Sequence, residues 1–472
     1  MKQLLLASLS ALALSACAAG PNFVAPVAPP KAAGQFVGSA SPTVSTAQAD
    51  DHWWQLYRDP TLDQLVADAL AANTDIRVAV ARLDRARASL RGVRSDRLPQ
   101  TSIGATGGYG RTPDSQRLPG TASEGESYDI GLSVSYEVDL AGRVRRNIEA
   151  ARGDVRAADA DADAVRVAVV AATTGAYVDA ASSAERLGVA KRIVELLDKS
   201  ATLTGKRVDA GRAAKLDLVR ITTLRDQRAA LVPAIEAQRQ AALFRLATLT
   251  GRTPQELPEI AAARTDTPRL DQPIPVGDGA ALLARRPDVR AAEQRLAAAT
   301  ARIGVATAEL YPRISLGGSV GSSSMSIGDL FTGGALRFLV GPLISWSFPN
   351  QEAARSRIAA SEADTRAALA TFDGSVLQAL EETETALATY QGELKRRTAL
   401  QAARDGAEAA ARITRARQRE GQIDFLDVLD AERTFADTDA DLAASNARIA
   451  SAQIDLFRSL GGGWQRPVIA AR

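Results

Sequence analysis

The chain has 472 residues, with 57 Lys and Arg against 55 Asp and Glu and a formal net charge of +2, a balance that gives no support to nucleic-acid binding. Aromatic residues make up only 4% while Ala dominates long stretches, a composition suited to long helices packed closely together rather than to a loop-rich scaffold. The length alone allows two or three domains.

The first residues, MKQLLLASLSALALSAC, join one basic residue, Lys2, to an apolar run over 4–16. That run is too short to cross a bilayer as a helix and reads as a secretory signal over residues 1–16. Leu14-Ser15-Ala16-Cys17 resembles a bacterial lipobox. The resemblance implies cleavage before Cys17, diacylglycerol on its thiol and an N-acyl chain on the new terminus; Ala18 at the next position, rather than Asp, implies sorting to the outer membrane. Cys17 is the only cysteine, so no disulfide forms within the chain and an exported protein must rely on packing or assembly. Residues 17–50, rich in Ala, Pro, Ser and Thr and nearly uncharged, are expected to form a lipidated, extended tether. The folded body is expected to begin near Trp53-Trp54.

From there the chain is written twice. Asp75-Ile-Arg77 recurs as Asp288-Val-Arg290, and Leu98-Pro-Gln-Thr-Ser-Ile-Gly104 as Tyr311-Pro-Arg-Ile-Ser-Leu-Gly317, at an offset of 213 (288 − 75; 312 − 99). Arg145-Arg-Asn-Ile148 then matches Arg355-Ser-Arg-Ile358, and Gly211, Asp217 and Gly251 match Gly421, Asp427 and Gly461, at an offset of 210 (421 − 211). The repeats are assigned to 51–251 and 278–461, the Pro-rich 252–277 to the linker between them and 462–472 to a tail. Each copy reads helix, strand, loop, strand, long helix, return helix. In the first, Val144, Ile148, Ala151, Val155, Ala158, Ala162, Val165, Val169, Ala172 and Ala176 alternate spacings of four and three. This is a heptad seam, and it predicts a helix from about 143 to about 208, roughly 100 Å long, packed as a coiled coil. Gly211 and Gly421 fall where the long helices must end and are expected at hairpin tips.

The predicted strands alternate apolar and polar residues. Over 127–140, Tyr128, Ile130, Leu132, Val134, Tyr136, Val138 and Leu140 share one side, and Asp129, Glu137 and Asp139 lie on the other; one side suits lipid and the other water. Its partner covers about 101–110, and the second copy has strands at about 314–322 and 335–348, the last placing Trp346 and Phe348 on its apolar side. Four strands cannot close a barrel, and an open edge in lipid leaves backbone groups unsatisfied, so closure requires several chains. Two chains would give a narrow barrel filled by side chains; three would give twelve strands and leave a lumen, which the polar residues favour.

Leu282-Leu-Ala-Arg-Arg-Pro-Asp-Val-Arg-Ala-Ala-Glu293, Glu309-Leu-Tyr-Pro-Arg-Ile-Ser-Leu-Gly-Gly318 and Leu460-Gly-Gly-Gly-Trp464, with Cys17-Ala-Ala-Gly-Pro-Asn22 and Trp53-Trp54, resemble the TolC-like outer-membrane efflux proteins, specifically their NodT-like lipoprotein branch. The resemblance covers essentially the whole chain. It implies an internally duplicated α+β membrane protein: a homotrimer whose four strands per chain close a twelve-stranded β-barrel, continued by a long coiled-coil α-helical barrel with a mixed belt around its middle. It also implies an exit duct in the Gram-negative outer membrane that conducts drugs or other small molecules. Its implied partners are outer-membrane lipid, a periplasmic adaptor and an inner-membrane transporter of the proton-driven RND type, with no nucleic acid. A duct for type I protein secretion shares this fold and stays open as an alternative; a periplasmic adaptor lipoprotein is the rival of another class.

No enzyme is expected. His52 stands alone beside Trp53, there is no phosphate loop, and Glu381, Glu382 and Glu384 read as a solvated or adaptor-facing patch on a long helix; no cofactor is implied beyond the lipid on Cys17. The stretch GQIDFLDVLDAER, from Gly421 to Arg433, places aspartates every third residue among apolar ones. Locally, Asp424 can cap the return helix, Asp427 can favour its positive end and Asp430 can pair with Arg433. The resemblance implies in addition that Asp427 and Asp430 line a closed periplasmic constriction and that Leu426 and Arg433 help to shut it. In the first copy Lys215 and Arg220 stand where Phe425 and Asp430 stand, and Asp217 keeps its acid. All three are expected gate partners, Lys215 and Arg220 opposite in charge to the acids of the second hairpin, although exposed pairs contribute only about 0–1 kcal/mol each.

Overall fold

Two segments rich in small residues and broken by turns fold into one sheet, and the heptad segments fold into continuous helices. A computed structural model describes residues 18–27, 29–113, 115, 120, 122–257 and 259–463. Among these the elements, in order, are β1 (Val44–Ser45), α1 (Pro60–Ala72), α2 (Thr74–Ser95), β2 (Gln100–Arg111), β3 (Glu124–Val138), α3 (Arg143–Asp209), α4 (Lys215–Ala229), α5 (Val232–Leu249), β4 (Ile274–Pro275), α6 (Gly279–Arg285), α7 (Pro287–Ala308), β5 (Arg313–Ser324), β6 (Leu336–Ser345), α8 (Glu352–Arg419) and α9 (Phe425–Ser459), with short 3-10 turns between. The signal over 1–16, Cys17, and the tail beyond Gly463 lie outside the described residues. Two units are distinguished: one holds Arg82–Ala158, Ala291–Asp373 and the N-terminal residues to Pro26; the other holds Val27–Ala81, Asp159–Arg290 and the chain from Gly374 onward.

In the first unit the four long strands form one antiparallel sheet in the order β2-β3-β5-β6. Its register aligns Ile103, Leu132, Val320 and Phe338 in one apolar row across all four strands. Both β2 and β6 are edges with unpaired backbone groups, and every residue of β2 is exposed. A sheet with an apolar face and two open edges needs further copies around it. On the opposite face Asp129 accepts a bidentate pair from the Arg337 guanidinium at 2.6–2.9 Å, and Ser102 and Ser133 hydroxyls lie 2.8 Å apart.

Two strand ends differ from the alternation pattern. Asp139 does not face a lumen: β3 stops at Val138, and the Asp139 carboxylate accepts the Val144 and Arg145 amides at 2.9 and 2.8 Å, satisfying free donors at the start of α3. Glu137 is half-buried and neutralised by Arg143 at 2.7 Å. Likewise β6 ends at Ser345 rather than 348. Trp346 instead donates its indole N–H to the Leu310 carbonyl at 3.1 Å and stacks on Phe348 with centroids 4.8 Å apart. Below the sheet Leu90 of α2 packs with Val144 and Ile148 of α3. Gly153 lets α3 and α7 approach so closely that a Cβ there would meet the Ala298 methyl at 2.9 Å.

In the second unit Val189, Ile193, Leu197 and Ala201 of α3 pack with Ile221 and Leu224 of α4 and with Ala436 and Ala443 of α9. Within each unit the heptad residues of α3 are buried or half-buried, as a coiled-coil seam requires. The two return helices differ: α9 is continuous, while the first copy is split into α4 and α5 at Ala230-Leu231. Pro233, which lacks an N–H and crowds the preceding turn, starts α5, whereas Ala443 holds the matching place in α9 (443 − 210 = 233).

Around the short strands the segment expected to be an unpacked tether is docked. β1 pairs in parallel with β4, the Thr43, Ser45 and Ala47 carbonyls accept amides from 274–277, and Phe36 and Val44 are buried. Composition missed this because backbone hydrogen bonds, which need no particular side chain, make most of the attachment. Two of the three clustered acids are engaged within the chain rather than forming an adaptor-facing patch: Glu384 serves this docking, accepting the Val37 and Gly38 amides at 2.6 and 3.1 Å, whereas Glu382 takes the Arg286 guanidinium at 2.8 Å. Asp59 is the hub of this region. One oxygen caps α1 through the Thr61 and Leu62 amides, and the other accepts the Tyr177 hydroxyl at 2.7 Å and Arg264 at 2.6 Å. Burial opposes its charge, but these four donors together hold its carboxyl below the ordinary range. Trp53 stacks on Phe457 at 4.8 Å, both fully buried.

Candidate gate at the hairpin tips

Both long helices of the second unit end in the same way. Gly211 and Gly421 adopt φ of +69° and +73°, which non-glycine residues rarely reach. The glycine amide bonds Val208 or Gln418, and the next amide bonds Arg207 or Arg417. This is the Schellman arrangement, in which the left-handed residue turns the chain and satisfies the last carbonyls.

The return helices start differently. α4 has Ala214 at its N-cap and no side-chain bond, whereas the Asp424 carboxylate accepts the Phe425 amide at 2.6 Å. Asp217 and Asp427 lie in the first turns, where the helix dipole favours a negative charge. The expected pair of Asp430 and Arg433 is absent. Arg433 turns toward the helix C-terminus and reaches Asp437, 3.9 Å away, and Asp430 has no ion pair among the described residues. Leu426, Asp427, Asp430 and Arg433 are all exposed in the single chain. Asp427 and Asp430 line one hollow between α8 and α9 together with Ile413, Thr414 and Arg417. In the first copy Lys215 is exposed, and Asp217 and Arg220 are half-buried.

Two residues of the tips escaped the sequence reading. Leu216, the counterpart of Leu426 (426 − 210), is 55% exposed at the start of α4; applying the repeat offset to Leu426 would have found it. Glu432 is 1% exposed, one turn from buried Val428 and Ala436 on α9, and its carboxylate lies 2.7 Å from Arg415. The approach is off the N–H axis, so the pair is ionic without an aligned hydrogen bond. Burial raises the Glu432 carboxyl above its ordinary range, an effect that Arg415 only partly offsets. Among the described residues no group of three or more His, Cys, Asp or Glu is placed to hold a metal ion.

A sheet with two open edges, heptad helices and two capped hairpins per chain define a channel subunit rather than a closed globule, and the chain belongs to the outer membrane efflux protein family, whose model matches residues 65–252 and 280–462. It is 33% identical to outer membrane protein OprJ of Pseudomonas aeruginosa over 97% of this chain and 95% of that protein. It is 30% identical to nodulation protein T of Rhizobium leguminosarum bv. trifolii over 98% of this chain and 97% of that one. The solved outer-membrane channel OprN superposes with a TM-score of 0.89 at 37% identity, covering 95% of this chain and 100% of OprN. The four strands of each chain are thus a share of a twelve-stranded barrel closed by a trimer in the outer membrane, with a long periplasmic helical extension.

Proposed function

We propose that this channel is the exit duct of a tripartite efflux pump, passing drugs or other small molecules received from a periplasmic adaptor and a proton-driven inner-membrane transporter of the RND type. The observation that carries the reading is the pair of tips: each chain offers Leu426, Asp427, Asp430 and Arg433 on one hairpin and Lys215, Leu216, Asp217 and Arg220 on the other, exposed or half-buried in the lone subunit. Three copies around an axis would bring six carboxylates from Asp427 and Asp430 into one ring, flanked by leucines. That ring is the gate, and the docking partner opens it. Cys17 carries the diacylglycerol and N-acyl chains that tie each subunit to the membrane. The relatives' printed functions, outer-membrane channels and an efflux family, support the same direction of transport. Deleting the gene should raise the steady-state accumulation of a fluorescent efflux substrate such as ethidium, and the wild-type chain should restore it. Unaltered accumulation across a panel of dyes and antibiotics would count against small-molecule efflux and favour the secretion duct.

A further inference from the structure

The segment that follows Cys17 is held by a built socket in the first unit. The Arg146 side chain is buried, 4% exposed, and its guanidinium is nearly saturated. Nε donates to the Ala19 carbonyl at 3.1 Å, one terminal nitrogen donates to the Gly20 carbonyl at 3.3 Å and to the Asn22 side-chain oxygen at 2.7 Å, and the other bonds Glu149 at 2.8 Å. The Ala19 amide donates to the Ala141 carbonyl at 2.9 Å. Three glycines make the fit. A Cβ on Gly20, whose φ is +82°, would meet the Gly304 Cα at 2.5 Å; one on Gly304 would meet the Ala19 carbonyl at 2.7 Å; one on Gly142 would meet the Ala18 Cα at 2.9 Å.

The duplication provides an internal control. At the matching positions of the other copy stand Ser356 for Arg146 and Glu352 for Gly142 (offset 210), and Arg91 for Gly304 (offset 213). The repeated architecture therefore forms without these residue types. They occur together only in the copy positions that meet the single N-terminal segment. The socket also lies at a distinctive level: Ala141 follows exposed Leu140 just past the end of β3, and the same unit presents exposed Tyr311, Trp346 and Phe348 at the corresponding ends of β5 and β6. Aromatic side chains of this kind mark the boundary between membrane and water.

We infer that Arg146, with Gly20, Gly142 and Gly304, is a positioning clasp that fixes the chain just after Cys17 to the base of the barrel strands, so that the acyl chains enter the membrane at the barrel wall. The inference rests on the lipidation reading for its consequence, but the clasp itself is independent of it. Hydrogen–deuterium exchange on the full-length trimer in lipid nanodiscs tests the clasp, and the mass of the N-terminal lipopeptide tests lipidation separately. In the wild type the Ala19 amide should exchange about tenfold or more slowly than an unstructured one. Arg146→Ala should remove that protection, and Arg146→Lys should remove most of it, since an ammonium cannot reproduce the planar fork. Both should leave the lipopeptide mass unchanged. Gly20→Val, which alters only the N-terminal segment, should do the same while exchange in α3 and α7 stays as in the wild type, so a misfolded Arg146→Ala protein would not decide the matter. Fast exchange at Ala19 in the wild type, or full protection in Gly20→Val, would overturn the clasp; an unacylated wild-type peptide would instead remove the lipid while leaving the clasp to be judged on protection.

Discussion

Leu216 and Leu426 stand at the same step of the two return helices, 210 residues apart (426 − 216), and the lone subunit leaves them 55% and 45% exposed. Covering the exposed half of a leucine contributes about 1 kcal/mol, so these two leucines at the head of each hairpin pair favour a state in which the tips of three chains meet. Replacing both with Ser should weaken that closed state. In planar bilayers the double variant should spend several-fold longer in its conducting level, and cells that carry it should become more sensitive to large antibiotics. A correctly assembled double variant with wild-type gating would remove the leucines from the gate.

Glu432 adds a pH dependence to the tip. Its folded carboxyl is raised by burial above the ordinary value of 4.5, with Arg415 offsetting part of the shift. A raised acid stabilises the fold when protonated, so its contribution is present below 4.5 and is lost as pH rises through the higher folded value. Amide exchange over residues 411–433, corrected for intrinsic rates, should therefore show a tip that opens less readily as the pH falls toward 5 than it does at 7.5. Glu432→Gln should flatten this dependence. If the variant retains the full dependence, another group controls it.

Asp59 has the opposite sign. Burial works against its charge, but Tyr177, Arg264 and the Leu62 and Thr61 amides hold its carboxyl low. Its stabilisation is thus present above the unfolded value and is lost as pH falls through the folded one. Asp59→Ala removes a helix cap, worth about 1 kcal/mol, and leaves the Tyr177 hydroxyl and Arg264 without their shared acceptor, for a total loss on the order of 3 kcal/mol. Thermal unfolding of the purified trimer should show a lowered midpoint. Asp59→Asn, which keeps an acceptor for the cap, should fall between the two.

The proposed lipidation has a direct test at Cys17. Cys17→Ser should abolish incorporation of labelled palmitate and leave a protein that still carries its strands and helices. Continued acylation of that variant would refute the lipobox assignment.

The parts of the fold that follow from periodicity were legible in the sequence. The heptad of α3 from Val144 to Ala176 and the alternation of β3 from Tyr128 to Val138 each express a repeating geometric demand. What escaped the reading was set by single contacts. The alternation runs through Asp139, yet that side chain caps α3; Trp346 has the parity of a strand residue, yet it bonds the end of α7 through Leu310. The Pro233 break in the first return helix was written in the sequence and passed over. The tether's docking left little trace there, because carbonyls at Thr43, Ser45 and Ala47 make its strand pairing and the side chains that help, Phe36, Val44 and the distant Glu384, follow no repeating pattern. At the tips, the glycine caps and Asp424 could be read from local chemistry. The depth of Glu432 and the turn of Arg433 toward Asp437 depend on which face α9 presents to α3 and α8, and one helix alone does not fix that.

The gate at the tips is the central claim, and Asp427 with Asp430 tests it most directly. Their carboxylates line one hollow between α8 and α9, and Asp430 has no ion pair among the described residues. Single-channel recordings of purified Asp427→Ala plus Asp430→Ala trimers, compared with wild type in symmetric and asymmetric salt, should show altered conductance and a reduced preference for cations. Trimers of normal mass and stability whose conductance and reversal potential match the wild type would contradict the account.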